Sequence, residues 1–121
     1  MSWDIVIVDE VRDWLRQLRK EDRETVRLIA AAIDVLESQG PALGRPLVDT
    51  VHGSELRHLK ELRPGSSGSS EVRILFAFDP ARRGVLLVAG DKSGNWRGWY
   101  EQAIPLAEER YSAHLKSHGQ E

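Results

Sequence analysis

The residues of this chain best suited to chemistry are cations in its second half: Lys60, Arg63, Arg73, Arg82, Arg83, Lys92 and Arg97. Trp96, Trp99 and Tyr100 are interleaved with the end of that series. Cations neutralise phosphates and aromatic rings stack on bases, so the combination suits a nucleic-acid surface. The competing reading is a salt-bridged surface whose tryptophans anchor the last helix to the core, and for Trp96 and Trp99 it is the favoured one. Arg73 is different, because a strand interior flanked by apolar residues is an unusual place for a guanidinium.

Other chemistries lack their residues. The chain has no cysteine, which removes disulfides, thiolate metal sites and a cysteine nucleophile. The glycine-rich stretches at 65–70 and 90–94 lack the strand–loop–helix setting and the lysine of a phosphate-binding loop. His114 and His118 are spaced to share a helix face, but no third ligand is placed near them, so neither a metal nor a cofactor is expected.

These side chains need elements to position them. Ile5 to Val8 reads as a strand. Val11, Trp14, Leu15 and Leu18 lie on one face of a helix. After the charged run 19–24, in which Asp22 is a candidate cap, Val26, Ile29, Ala30, Ile33 and Leu36 form the stripe of a second helix, stopped by Gly40-Pro41. The segment 41–53 reads as a loop, Leu56 to Arg63 as a mixed strand, and Pro64 to Ser70 as a flexible connector. Val72 to Phe78 and Val85 to Ala89 read as strong strands around a turn, giving an antiparallel meander. Pro105 belongs near a helix start, so the last helix is expected to begin near Glu101 or later, with Tyr100, Ala103, Ile104, Ala107 and Tyr111 on one face. Period-2 alternation sends Val72, Ile74, Phe76 and Phe78 onto the helices and Arg73 to the opposite sheet face. Lys60 and Arg63 lie on opposite faces of their strand, and only one of them need sit beside Arg73.

A chain of 121 residues fits one α+β domain spanning 1–121. Its net charge of -2 is uneven: residues 52–99 carry 8 basic and 5 acidic side chains between acidic ends. That hints at a surface facing a polyanion. The start of the chain has no basic n-region and the longest apolar run is short, so a cytoplasmic protein without membrane contact is expected.

The segments Leu59-Lys60-Glu61-Leu62-Arg63, Val72-Arg73-Ile74-Leu75-Phe76, Val85-Leu86-Leu87-Val88, and the Lys92 loop leading to Tyr100-Glu101-Gln102-Ala103 resemble the RelE/HigB superfamily of bacterial toxins. The likeness is greatest to its phage-derived Gp49-like HigB branch, and it runs from the first strand to the last helix. The resemblance implies a RelE-like fold, with an N-terminal strand and helical hairpin on an antiparallel sheet, a concave opposite face and a C-terminal helix. It implies ribosome-dependent cleavage of messenger RNA with the substrate 2′-OH as nucleophile and no metal. It also implies a cognate helix-turn-helix antitoxin as partner. In its terms Arg73 stabilises the scissile phosphate and Lys60 acts as base or electrostatic support. Arg63, Lys92 and Arg97 hold phosphates, Trp96 and Trp99 contact RNA, and Tyr100 stacks on or orients the substrate. The chain departs from the family pattern in its pI of about 6.1 and in having no histidine between His58 and His114. A non-catalytic RelE-fold module that only binds protein or RNA is the alternative.

Overall fold

The computed structural model describes residues 2–65 and 68–119. Ser66 and Ser67, in the middle of the expected connector, lie outside them. Along the chain run β1 (Asp4–Ile7), α1 (Asp9–Glu21), α2 (Arg23–Gln39), a 3-10 turn (Gly40–Ala42), β2 (Val48–Thr50), β3 (Lys60–Leu62), β4 (Val72–Phe78), β5 (Arg83–Asp91) and α3 (Trp96–Ser117). This is an α+β arrangement, as expected.

The break between α1 and α2 is made by Asp22. Its backbone N–H closes α1 on the Leu18 carbonyl, and its carboxylate accepts from the Thr25 N–H at 3.0 Å to open α2. In α2 the buried positions are Thr25, Ile29, Ala32 and Leu36. Ala30, expected in the apolar stripe, faces solvent instead. Gly40 ends α2 with a φ of 61°, and a Cβ there would meet the Trp3 ring at 2.3 Å. Both the left-handed turn and the indole require glycine.

The strand order is β1-β5-β4-β3-β2. The meander β3-β4-β5 is antiparallel as expected, but β1 pairs β5 in parallel, so the sheet is mixed. The helical hairpin and most of the sheet intervene between these two strands, which allows the parallel pairing. β2 forms inside the segment expected to be a loop. It is only three residues long and pairs with β3, burying Val48. The expected strand from Leu56 shrinks to Lys60–Leu62.

Each sheet face has its own core. Val72, Ile74 and Phe76 pack with Val11, Ile29, Ala32 and Leu36 of the helical hairpin. Leu75, Ala77, Val85 and Leu87 pack with Ala103, Ala107 and Tyr111 of α3. The second face, concave in the family resemblance, is therefore covered along much of β4 by α3. A bulge at Leu87 interrupts the β4–β5 ladder: Leu75 pairs with Val88, and Phe76 pairs with Leu86. The Leu87 carbonyl accepts a hydrogen bond from the Arg110 guanidinium at 2.9 Å.

α3 starts at Trp96, earlier than expected, and contains Pro105 in its interior. The Asn95 side chain caps it by accepting from the Gly98 N–H at 3.2 Å. Pro105 and Glu101 are both exposed, so water can reach the carbonyl that proline leaves without its helical partner. Near its other end, His114 Nε2 lies 2.7 Å from the buried Asp79 carboxylate. Asp79 also accepts from Arg83 N–H at 2.9 Å and Arg83 Nε at 2.8 Å. Burial pushes the Asp79 carboxyl up, but the hydrogen bonds from His114 and Arg83 outweigh it and hold the group below its ordinary range.

Candidate active site

Alternation along β4 sends Arg73 to the α3 face, and the ladder sets it opposite Gly90. The first turns of α3 lie over that pair. A Cβ on Gly90 would meet the Trp99 indole nitrogen at 2.3 Å, so glycine lets the ring rest on the strand backbone. Trp99 then packs edge-on against Tyr100, with ring centroids 5.0 Å apart. Trp99 packs, partly buried, against the α3-side core, which agrees with its anchoring reading.

The β3–β4 register pairs Glu61 with Leu75, so Glu61 and Arg63, two residues on, share the Arg73 face. Glu61 is the centre of the cluster and its side chain is only 4% exposed. Its Oε2 accepts from Arg63 Nε at 3.0 Å and Nη2 at 2.7 Å, and its Oε1 accepts from the Tyr100 hydroxyl. Asp49 on β2 adds a second carboxylate, 3.2 Å from Arg63 Nη2. Arg73 Nε is 3.9 Å from Glu61 Oε1, beyond hydrogen-bond range, while Arg73 Nη1 donates to the Val72 carbonyl at 2.8 Å. Among the described residues, Arg73 Nε is the one buried side-chain nitrogen or oxygen without a hydrogen-bond partner.

Electrostatics follow from this geometry. Burial first, then the hydrogen bond and charge of Glu61, push the Tyr100 phenol well above its ordinary range, against the opposing pull of Arg73 and Arg63. Tyr100 is therefore a protonated hydrogen-bonding group at neutral pH. The Glu61 hydrogen bond raises the Arg63 guanidinium further above its ordinary value and keeps it charged.

A cationic and aromatic margin adjoins the cluster. Lys92 Nζ sits 5.9 Å from the Trp96 ring centroid and 6.0 Å from that of Tyr100, and 3.7 Å from the Glu71 carboxylate. Arg97 lies 5.8 Å from the Trp96 centroid. Trp96 is 56% exposed, whereas Trp99 is partly buried. Trp96, Arg97, Tyr100 and Ile104 line an open groove of about 450 Å³ whose other wall includes Gly53 and Glu55.

Lys60 is not brought to this cluster. It pairs with Phe76, which puts it on the helical-hairpin face, and its ammonium donates to the Pro41 carbonyl at 3.2 Å. Arg82 stacks on Trp3 at 4.2 Å and Arg83 binds Asp79, so both serve the β4–β5 turn. His114 and His118 stack at 4.2 Å beside a cleft of about 490 Å³ near the far end of α3. Among the described residues no group of three or more histidine, aspartate or glutamate side chains could hold a metal ion. No helix is long and apolar enough to cross a membrane.

Comparison with known proteins decides the family. Residues 13–112 match the model described as "Phage derived protein Gp49-like (DUF891)". The chain belongs to the Gp49-like family. Two similar proteins come from Mycobacterium tuberculosis (strain ATCC 25618 / H37Rv). One, named "Putative toxin HigB2", is 57% identical over 89% of this chain and 52% of its own length. The other, named "Putative toxin HigB3", is 47% identical over 95% of this chain and 96% of its own. The Gp49-like chain thus spans about half the length of the first relative and nearly all of the second. Its fold is shared with the E. coli toxin RelE, as a mutant in the free state, at a TM-score of 0.58 and 11% identity over 87% of this chain and 97% of that one. It is also shared with the YoeB dimer from Staphylococcus aureus at 0.55 and 13% identity over 71% and 92%.

Within this Gp49-like site, sequence reasoning assigns no role to Glu61, although it sits inside one of the segments that carry the family resemblance. The one signal pointing to it is its separation of two from Arg63, which puts a carboxylate on the same strand face as a candidate phosphate ligand.

Proposed function

We propose that this chain is the toxin of a type II toxin–antitoxin system and cleaves messenger RNA on the ribosome. The observation that carries the reading is Arg73. Its guanidinium is held on β4 near the Tyr100 phenol, with an Nε that lies 3.9 Å from Glu61 and makes no hydrogen bond. An unmatched N–H on a guanidinium is costly in a resting fold, and the side chain's exposed edge is where a phosphate oxygen can bind.

The chemistry is a transesterification. The substrate 2′-hydroxyl gives its proton to water as its oxygen forms a bond to phosphorus, the bond from phosphorus to the 5′-oxygen breaks, and the leaving oxygen takes a proton from water. The products are a 2′,3′-cyclic phosphate and a 5′-hydroxyl. Arg73 stabilises the charge that grows on the phosphoryl oxygens. Lys92 and Arg97 hold flanking phosphates, and Trp96 gives a neighbouring base a face on which to stack. Lys60, directed to the other sheet face, is left out of this machinery. The expected partners are ribosome-bound message and a cognate helix-turn-helix antitoxin that silences the toxin.

The test is Arg73→Ala. Loss of one preorganised donor should slow cleavage by about two to three orders of magnitude, with ribosome binding changed much less. Arg73→Lys should recover only part of the rate, because an ammonium lacks the planar fork. Growth arrest on induction and 5′-end mapping of a reporter message read both variants. A folded Arg73→Ala protein with unchanged toxicity and cleavage map would move the non-catalytic binding module into first place.

A further inference from the structure

A carboxylate buried on a strand is costly unless its charge is used. Glu61 uses both oxygens. Oε2 takes the two-point fork of Arg63, Oε1 takes the Tyr100 hydroxyl, and the side chain is nearly closed to solvent. Arg63 is held a second time by Asp49. Its charge is thereby matched by two carboxylates and hydrogen-bonded, while Arg73 Nε, 3.9 Å from Glu61 Oε1, makes no hydrogen bond.

We infer that Glu61 is a positioning residue: its carboxylate fixes the Tyr100 hydroxyl and the Arg63 guanidinium in place and leaves Arg73 as the guanidinium that receives the scissile phosphate. This rests on the RNA-cleavage reading of the same site. Because Tyr100 donates its proton inward to Glu61, its oxygen presents lone pairs for a further contact. It is then an acceptor that can orient a substrate 2′-OH toward phosphorus. Glu61 itself is too enclosed to touch RNA. Arg63, a phosphate ligand by the family resemblance, becomes a brace for the carboxylate.

The experiment compares Glu61→Gln, Glu61→Asp, Tyr100→Phe and the Glu61→Gln/Tyr100→Phe double variant. Single-turnover cleavage is followed on programmed ribosomes, and tyrosinate absorbance is followed against pH. The charged groups facing the phenol are Glu61, Arg63 and Arg73, with Lys92 near the ring. Subtracting the matching Tyr100→Phe protein isolates Tyr100 from Tyr111, the other tyrosine of the chain. Glu61→Gln removes the negative charge and leaves both guanidiniums, so Tyr100 should ionise at lower pH than in the wild type. Its maximal cleavage rate should fall about 100-fold, the scale of a misplaced reacting group, with little change in half-saturating ribosome concentration. Glu61→Asp, which keeps the charge, should recover part of the rate and part of the phenol shift. It also serves as the test if Glu61→Gln does not fold. The double variant should be no slower than the slower single variant.

Wild-type cleavage and an unmoved phenol in folded Glu61→Gln, or single effects that multiply in the double variant, would overturn the inference. Arg73→Ala separates the two levels. If it cleaves normally, the nuclease reading fails. If it is dead while Glu61→Gln is normal, only the role of Glu61 fails.

Discussion

Trp96 and Trp99 are three residues apart on one helix in different surroundings, and a paired truncation separates the roles proposed for them. Trp99 rests on the Gly90 backbone, packs against Tyr100 and lies partly buried against the α3-side core. Truncating a tryptophan in such a setting costs about 3 kcal/mol from lost burial and the cavity left behind. Trp96 is 56% exposed and is flanked by Lys92 and Arg97 rather than by core. Its truncation should change stability by no more than about 0.5 kcal/mol. On RNA the order reverses. A base stacked on an aromatic ring is worth about 1–3 kcal/mol, so Trp96→Ala should weaken binding of a short single-stranded RNA roughly tenfold. Urea unfolding gives the first quantity, and fluorescence anisotropy with labelled RNA, measured well below the unfolding transition, gives the second. Equal destabilisation by both truncations would refute the division. So would a Trp96→Ala protein that binds RNA as tightly as the wild type.

Asp79→Asn should destabilise the protein by about 3 kcal/mol, because His114 and Arg83 lose a buried charged acceptor; differential scanning calorimetry checks it. The same carboxyl predicts a pH dependence. Its folded pKa lies below its unfolded value, so its contribution is present above about pH 4 and is lost as pH falls through the folded value, and acid unfolding curves of wild type and Asp79→Asn should converge there. Lys60→Ala should leave cleavage within about threefold of wild type, given its place on the other sheet face and the small effect expected of a surface change; a loss comparable to that of Arg73→Ala in the same assay would restore Lys60 to the site.

How far the sequence can be read depends on the range of the physics involved. Asp22, Gly40 and the alternation of Val72, Ile74 and Phe76 act over a few residues, and all three are legible in the sequence itself. β2 is not legible there, because Val48–Thr50 is a strand only through its partner β3. The start of α3 escapes for a related reason. Proline propensity argues for a late start, but Asn95 capping and the packing of Trp99 on Gly90 hold the earlier turns. At the site, alternation correctly separates Lys60 from Arg63, yet only the β3–β4 register says which one accompanies Arg73. The role of Glu61 depends on that register and on a tyrosine 39 positions away in the chain, so spacing alone does not expose it.

The bulge at Leu87 sets which residues of β5 lie beneath the first turns of α3. Before it, Val85 faces α3 and Leu86 faces the helical hairpin; after it, Val88 faces α3 and Ala89 faces the hairpin. The strand thus changes parity once, and Gly90 rather than Ala89 or Asp91 comes to lie opposite Arg73. If the strand kept its length but paired without the bulge, Leu87 would oppose Leu75 and Ala89 would oppose Arg73, setting a side chain where Trp99 needs bare backbone. The site is therefore sensitive to the pairing of β5 as well as to the identity of its residues. A relative that lacks the bulge residue would keep its glycine opposite the arginine by regular pairing, whereas one that keeps all nine strand residues and loses the bulge would have a rebuilt site, even where every residue named in it is still present.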